Sequence, residues 1–343
     1  MIGILGFVAI FVGGRLIRWS ARWVWLMAWG WLVVLLLAHA PNMPRELGAF
    51  VGGDFRGWFV LGVLAALVLA YRVVLGRVQG RVTPAVVAVA KPGSFSPTEL
   101  DRYARHIMLR EIGGQGQKSL KSARVLVVGA GGLGSPALLY LAASGVGVIG
   151  VIDDDAVEGS IQHRQIIHTD TRIGMPKVFS AEIAMKALNP FIEVRPYHRR
   201  LDADFAADLV ADYDLVLDGT DNFDTRYLVN RICAAAGKPL IAAAITQWEG
   251  QISLYDPAHG GPCFECVFPQ RPAPGMVPSC AEAGVAAPLP GVIGAMMAME
   301  AIKVLTDAGT GLRGRLMIHD ALYAETRVIG VQRRADCAVC GGG

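Results

Sequence analysis

Two long apolar runs stand near the start of the chain, at residues 19–40 and 57–76. Each has the length of about 20 residues that a helix needs to cross a hydrocarbon core of about 30 Å. Arg22 and Arg72 lie near the ends of these runs, where long side chains can reach the water interface. The pattern predicts a transmembrane helical hairpin within residues 1–81. The apolar residues 1–14 are too short to span at ~1.5 Å per residue, and the sequence gives them no clear role.

Basic residues flank the predicted hairpin on both outer sides. They are Arg15, Arg18, Arg22, Arg72, Arg77 and Arg81. Because segments rich in Lys and Arg stay in the cytoplasm, both ends of the hairpin are expected there. The predicted location is therefore the inner (cytoplasmic) membrane, multi-pass, with the rest of the chain facing the cytoplasm. A cleaved signal peptide is the alternative, but two spans with basic flanks fit a hairpin better.

The remainder of the chain changes to an alternation of short strands and longer helices. Residues 82–98 contain prolines at 84, 92 and 97 and predict a linker, which leaves 99–343 as one domain. "RVLVVG", "GVIGVID", "YDLVLDGT" and "KPLIAAA" are typical of buried strands, and 176–188 and 222–236 of helices. This order predicts an α/β fold with a mostly parallel sheet and helices on both faces. "GQISLYD", "GRLMIHD" and "TRVIGVQ" then predict a C-terminal antiparallel part, with a helix over 291–305.

A glycine-rich turn follows the first of these strands. It holds Gly129, Gly131, Gly132 and Gly134. Glycines let phosphate oxygens approach backbone N–H groups at the start of the next helix, which indicates a Rossmann-like nucleotide site. Asp155 follows the second strand, where an acid can bind ribose hydroxyls, with Asp153 and Asp154 as competitors and a helix cap as the alternative role. NAD, FAD and ATP sites share these features, so the turn alone does not choose between them.

Charged residues after the glycine turn favour a triphosphate. "HRQIIH" holds Arg164, "GMPKV" holds Lys177, and "DGTDNFDTR" holds Asp218, Asp221 and Asn222. A triphosphate with Mg²⁺ needs fixed cations for its oxygens and a carboxylate for the metal, whereas a dinucleotide can be held largely by backbone groups. Each residue alone could belong to a surface ion pair, so their order along the chain carries the argument.

The net charge argues against a nucleic-acid partner, and the spacing of the cysteines predicts a metal site. The net charge of +3 gives no sign of a nucleic-acid partner, and the excess behind the high apolar content of 53% lies in the first ninety residues. Cys263, Cys266, Cys337 and Cys340 form two C-x-x-C pairs, which in a reduced compartment favour a structural Zn²⁺ site over a redox pair. Cys233 is predicted to be buried core.

Eight motifs follow one another between residues 96 and 340: "RYARHIML", "GAGGLGS", "HRQ", "GMPK", "DGTDN", "CFEC", "CAEAGVAAPLPGVIG" and "CAVC". In this order they resemble the MoeB/ThiF/HesA adenylyltransferases, bacterial relatives of ubiquitin-activating enzymes. The resemblance covers residues 96–340. It implies ATP-dependent adenylation of the C-terminal glycine carboxylate of a ubiquitin-like sulfur carrier (MoaD/ThiS-like), releasing pyrophosphate, in molybdopterin or thiamine biosynthesis.

The resemblance also implies residue roles. Asp155 would bind ribose, Arg164 and Lys177 the phosphates, Asp221 Mg²⁺, and Arg105 would reach across a homodimer into the partner's site. Cys280 could accept the carrier as a thioester, take part in sulfur transfer as a persulfide, or be a bystander, and a separate protein would donate sulfur.

One departure from the family pattern concerns activity. "GSIQHRQ" has Ile161 where relatives usually carry an Asn that touches the phosphates, and His163 where they carry a Gln. Gln162 or His163 could substitute for the missing amide. Two alternatives therefore accompany the adenylyltransferase: a catalytically weakened membrane scaffold that binds a carrier, and an NAD(P)-dependent oxidoreductase that rests on the glycine turn and Asp155 alone.

Overall fold

The computed structural model describes residues 2–16, 21–40, 43–81, 94–273 and 283–341. The chain divides into two compact units, Met1–Ala88 and Val89–Gly343. Most of the predicted linker, residues 82–93, lies outside the described residues, as does Cys280.

The first unit consists of helices. They are α1 (Ile2–Leu16), α2 (Ala21–Ala38), α3 (Arg45–Val51) and α4 (Phe55–Arg81). Tryptophans join them at close contacts: the indole N–H of Trp31 donates to Gly3 O at 2.9 Å, and that of Trp58 donates to Gly52 O at 3.0 Å. Leu32 and Leu35 form a small buried cluster with Trp58. The unit therefore has an interior of its own, although most of its apolar side chains face outward.

Two helices in the described part of the chain are long and apolar enough to cross a membrane, judged by length and composition. Phe55–Leu75 of α4 is only 11% buried, whereas Leu289–Thr306 of the second unit is 44% buried and belongs to its core. The apolar stretch Trp23–Ala38 of α2 is shorter than the span predicted over 19–40. These helices alone are weak grounds for a membrane hairpin.

The second unit alternates helices and strands as the sequence predicts. Before the sheet come α5 (Pro97–Ile107) and α6 (Gly113–Ser122). The alternating part comprises β1 (Arg124–Val128), α7 (Gly134–Ser144), β2 (Val148–Ile152), α8 (Lys177–Leu188), β3 (Glu193–Tyr197), α9 (Ala203–Ala211), β4 (Leu215–Asp218), α10 (Phe223–Ala236) and β5 (Leu240–Thr246). The final part comprises β6 (Glu249–Tyr255), α11 (Phe264–Val267), α12 (Leu289–Thr306), β7 (Arg315–Asp320) and β8 (Glu325–Gly330).

All eight strands form one sheet in the order β3-β2-β1-β4-β5-β6-β7-β8. β1 to β5 pair in parallel, and β6 to β8 continue the sheet in antiparallel pairs. The chain crosses from β3 to β4 over β1 and β2, so strand order reverses between β1 and β4. Ligands of such sheets bind at the carboxyl edge beside that reversal.

Side chains of the central strands alternate between two buried clusters. On β1, Val125 and Val127 pack with residues of α6, α7, α8 and α12, whereas Leu126 and Val128 pack with residues of α9, α10 and α11. Helices therefore cover both faces, as expected from near-continuous apolar strands. α12 approaches the glycine turn closely: a Cβ on Gly294 would lie 2.3 Å from Leu133 O.

Candidate active site

A cavity of about 780 Å³ opens at the carboxyl edge of β1, β2 and β4. The glycine turn follows β1, Asp153 to Asp155 follow β2, and residues 219–222 follow β4. Arg164, Gln165 and Lys177 line the same cavity. The strand pairing thus brings together groups that are up to about ninety residues apart in sequence.

The glycine turn requires glycine at particular positions. Gly129 has φ of 93°, a left-handed value that other residues rarely adopt. A Cβ on Gly134 would lie 1.9 Å from Gly129 O, so no side chain fits there. A Cβ on Gly131 would instead meet nothing closer than Gln165 Nε2 at 3.6 Å, and Gly131 lines the cavity. The space beside Gly131 is therefore open to a ligand.

Asp153 supports the turn, because both of its carboxylate oxygens accept hydrogen bonds from backbone N–H groups. Its Oδ2 accepts a hydrogen bond from Ala130 N at 2.8 Å and its Oδ1 one from Asp155 N at 2.8 Å. Burial raises the pKa of this carboxyl, while Lys177 and the two N–H groups oppose the rise. Asp155, in contrast, leaves 66% of its side chain exposed. Asp154 and Asp155 are both exposed and both line the cavity, so either carboxylate has room to meet a ligand.

Asp155 and Lys177 form an ion pair. Lys177 Nζ lies 2.7 Å from Asp155 Oδ2, and only 7% of the lysine side chain is exposed. Lys177 is the first residue of α8, where the helix dipole adds positive potential. Sequence reasoning assigns these residues to different parts of the nucleotide, ribose and phosphate, and the structure places them in direct contact.

The polar residues at the end of β4 and just after it have different roles: Asp218 stabilises the fold, whereas Asp221 and Asn222 line the cavity. Asp218 is fully buried: Thr220 donates to its Oδ1 from N and Oγ1, and Arg226 Nε lies 3.7 Å from its Oδ2. Asp221 lines the cavity with an exposed side chain, which suits a metal ligand. Asn222 lines it too, but its Oδ1 caps α10 by accepting from Thr225 N at 3.1 Å.

Several cavity residues were not predicted from the sequence, among them Arg199, Arg200 and Gln165. Arg199 and Arg200 follow β3 and reach the cavity because β3 pairs with β2; Arg199 Nη2 donates to Asp202 Oδ2 at 2.7 Å. Gln165 is 5% exposed, and its Oε1 has no hydrogen-bond partner among the described residues. An unpaired buried acceptor beside an open space is a site for a donor on a ligand. Gln165 is the glutamine of the "HRQ" motif, so the sequence already pointed to it.

Residues 161–163 do not line the cavity within the described part of the chain. Ile161 ends a short 3₁₀ helix, and its carbonyl accepts from Arg164 N and Gln165 N at 3.1 Å each. Gln162 Nε2 is buried and has no hydrogen-bond partner among the residues that the structure describes. His163 Nδ1 lies 3.2 Å from Ser160 O. That Gln162 or His163 replaces the asparagine amide stays a prediction.

Arg105 lies in the last turn of α5 and is exposed. It does not line the cavity of its own chain. Cys233 is 1% exposed on α10, and burial raises the pKa of its thiol, as expected for a core residue.

The four predicted cysteine ligands form one buried cluster. Their sulfur atoms all lie within 4.8 Å of one another. Cys263 and Cys337 Sγ are 3.5 Å apart, and Cys266 and Cys340 Sγ are 3.3 Å apart. Four thiolates at 2.3 Å from a tetrahedral ion would be about 3.8 Å apart, so the cluster fits Zn²⁺. Burial opposes ionisation of the Cys337 thiol, but hydrogen bonds from the N–H groups of Cys340 and Val339, together with those of the Cys263 and Cys266 thiols, outweigh it and lower its pKa to about 7.

Comparison with known proteins identifies the family. The ThiF family matches residues 103–339. The sulfur carrier protein adenylyltransferase of Thermus thermophilus is 49% identical over 251 residues, which cover 72% of this chain and 93% of that relative. The SAMP-activating enzyme E1 of Haloferax volcanii is 47% identical over 250 residues, covering 73% and 92%.

A solved structure of similar fold also binds a nucleotide. The crystal structure of E. coli MccB with ATP has a TM-score of 0.62 at 24% identity, over 70% of this chain and 75% of that chain. At this identity the likeness concerns the fold alone. The match to the family model and the two relatives go further, and they show that this chain belongs to the ThiF family.

Proposed function

We propose that this chain is an adenylyltransferase that uses ATP to activate the C-terminal glycine carboxylate of a ubiquitin-like sulfur-carrier protein. The supporting observation is that one cavity gathers a glycine turn, the cations Arg164 and Lys177, and the carboxylate of Asp221. The relatives named for this activity, at 47% and 49% identity, support the same substrate class. A dehydrogenase would rest on the glycine turn and an acid alone.

The reaction needs charge neutralisation more than proton transfer. A carboxylate oxygen of the carrier attacks the α-phosphorus, a new P–O bond forms, and pyrophosphate leaves with the electrons of the broken phosphoanhydride bond. An α-carboxyl group with a pKa of about 3.5 is already ionised, so no base is required. Arg164 and Lys177 would hold the phosphate oxygens, and Asp155 the ribose. Asp221 would hold Mg²⁺, which supplies further positive charge to the phosphates.

ATP–pyrophosphate exchange tests this proposal. The full chain, in detergent, is offered ATP, labelled pyrophosphate and a panel of ubiquitin-like proteins that end in Gly-Gly, each beside a form that lacks the last glycine. Exchange that depends on one carrier and on its last glycine is the expected result. A chain that binds a carrier yet gives no exchange would instead be a scaffold, and Ile161→Asn would then be expected to restore exchange.

We also propose that the site is completed in a homodimer by Arg105 of the partner subunit. Because Arg105 is exposed and lies outside the cavity of its own chain, it is available to a neighbour. Arg105→Ala and Lys177→Met chains should each be inactive alone. Refolded or co-expressed together, they should recover about a quarter of the unaltered activity, because half of randomly formed symmetric dimers are mixed and each holds one complete site of two. Mixed dimers without recovery would show that Arg105 acts in its own chain or not at all.

The first unit is proposed to anchor the enzyme at a membrane, with the second unit in the cytoplasm. Its α4 exposes an apolar stretch of 21 residues, and the cavity is lined wholly by the second unit. A chain that begins at residue 94 keeps the Ser96 cap of α5 and the bond from Lys121 Nζ to Ser94 O. We expect it to keep kcat/KM within about twofold, since a unit with its own core keeps its site, and to lose flotation with lipid vesicles. If the folded short chain still floats with lipid vesicles, or no longer catalyses ATP–pyrophosphate exchange, the first unit does not act only as a membrane anchor.

A further inference from the structure

His168 lies behind the glycine turn and joins it to α8. The imidazole is 5% exposed and does not line the cavity. Its Nε2 is 2.9 Å from Ala130 O in the turn, and its Nδ1 is 2.9 Å from Ser180 Oγ on α8. One side chain therefore links the element that begins the cavity to the helix that carries Lys177.

The partners of the ring fix its tautomer. A carbonyl oxygen can only accept, so Nε2 carries the hydrogen and donates to Ala130 O. Nδ1 then has a lone pair and accepts from the hydroxyl of Ser180. Arg172 Nη1 donates to Ser180 O at 2.6 Å and lies 3.3 Å from Ser180 Oγ, which directs the hydroxyl hydrogen toward the ring. Burial lowers the pKa of His168, helped by Lys177 and Arg172, and keeps the ring neutral.

The Ala130 residue is thus held at both of its polar groups. Its N–H donates to Asp153 Oδ2 at 2.8 Å, and its carbonyl accepts from His168. The carbonyl belongs to the peptide group that ends in Gly131 N–H. Because a trans peptide is planar, its N–H points opposite to its C=O. With the carbonyl directed back to His168, the N–H of Gly131 is directed away from it, on the side of the turn where Gly131 lines the cavity.

We propose that His168 is a positioning residue for ATP, which aims the Gly131 N–H at a phosphate oxygen by holding the Ala130–Gly131 peptide plane. The proposal rests on ATP being the substrate of this site. The residue touches no substrate atom, so its effect passes entirely through the turn. A turn that binds phosphate equally in the ground state and the transition state affects KM rather than kcat.

The test compares His168→Phe with His168→Gln in the full chain. Phenylalanine keeps the volume but removes the donor, whereas the amide nitrogen of glutamine can reach the position of Nε2. We expect His168→Phe to raise the dissociation constant of a fluorescent ATP analogue, and the KM for ATP in exchange, by about 10-fold to 100-fold, the effect of one buried group left unpaired. Exchange at saturating ATP should change less than threefold. His168→Gln should recover most of the affinity, and His259→Phe, at an exposed histidine outside the cavity, should change neither.

Other outcomes are equally informative. A purely structural role would lower the active fraction, and with it the rate at saturating ATP, and leave KM unchanged, which would overturn the proposal. His168→Leu serves if His168→Phe does not fold, because it too removes the donor to Ala130 O; an ATP affinity unchanged in the folded variant would overturn the proposal too. If the unaltered chain binds the ATP analogue but gives no exchange with any carrier, the adenylation proposal fails, while binding by the variants still decides the role of His168.

Discussion

Replacing Lys177 by methionine should reduce carrier-dependent ATP–pyrophosphate exchange by about 10²-fold to 10³-fold, the size of effect seen when a preorganised charge is removed from an active site. The ammonium group is desolvated, held at 2.7 Å from Asp155, and lies at the first turn of α8. Its charge therefore needs no reorganisation when the phosphates arrive. Methionine keeps the length of the side chain without the charge.

Lys186 provides the matched control. It lies on the same helix, is half exposed, and pairs with Glu182 at 2.6 Å. Lys186→Met should leave exchange within about twofold, because a surface ion pair contributes ~0–1 kcal/mol. The Lys177 variant should still fold, since the Asp155 carboxylate that it leaves unpaired is 66% exposed to water. Exchange by folded Lys177→Met within threefold of the unaltered chain would remove Lys177 from the mechanism.

Replacing Cys263 by serine should release the end of the chain. We expect the purified protein to hold one Zn²⁺ per chain at the cysteine cluster, and the Cys263→Ser variant to hold much less than one. After β8 ends at Gly330, the cluster is the main connection of residues 331–341 to α11, aided by a bond from Arg334 N to Cys266 Sγ at 3.4 Å. Metal ligation supplies folding free energy, about 10 kcal/mol or more for a structural zinc site. Its loss should expose the bonds after Arg333 and Arg334 to trypsin.

The measurements are zinc content by mass spectrometry and the rate of limited trypsin cleavage. Cys233→Ala is the control, because Cys233 is also a buried cysteine but lies outside the cluster, on α10. It should keep its zinc and its resistance to trypsin, although the small cavity it creates lowers the free energy of unfolding by about 1 kcal/mol. A Cys263→Ser variant with full zinc and an intact tail would show that the four thiols do not hold a metal together.

The fold of the second unit could be predicted from the sequence because its signals are local. The helix predicted over 222–236 is α10, Phe223–Ala236, which Asn222 caps at one end and Gly237 ends with φ of 64°. The helix predicted over 176–188 is α8, and the strands on either side of the glycine turn are β1 and β2. Caps, glycines and apolar periodicity act within a few residues, so each is visible in the chain.

The finer parts of the site depend on contacts that no local pattern contains. Asp155 and Lys177 are 22 residues apart, and only the return of the chain to the edge of β2 brings them within 2.7 Å. Arg200 enters the cavity because β3 lies beside β2. Asp153 and Asp155 look alike in sequence, and they differ because one carboxylate is bonded to the turn and the other faces solvent.

Helix α11 connects the cysteine cluster to the cavity. Phe264 lies between Cys263 and Cys266 in sequence, is buried against Tyr227 and Tyr255, and lines the cavity. A ligand in the cavity would contact Phe264, and an ion among the thiols would be bound by Cys263 and Cys266 on either side of it. Thermodynamic linkage requires that each change the affinity of the other by the same factor. Because order in α11 serves both sites, we expect the metal-free protein to bind nucleotide more weakly, and nucleotide to raise the equilibrium affinity of the thiols for metal by the same factor.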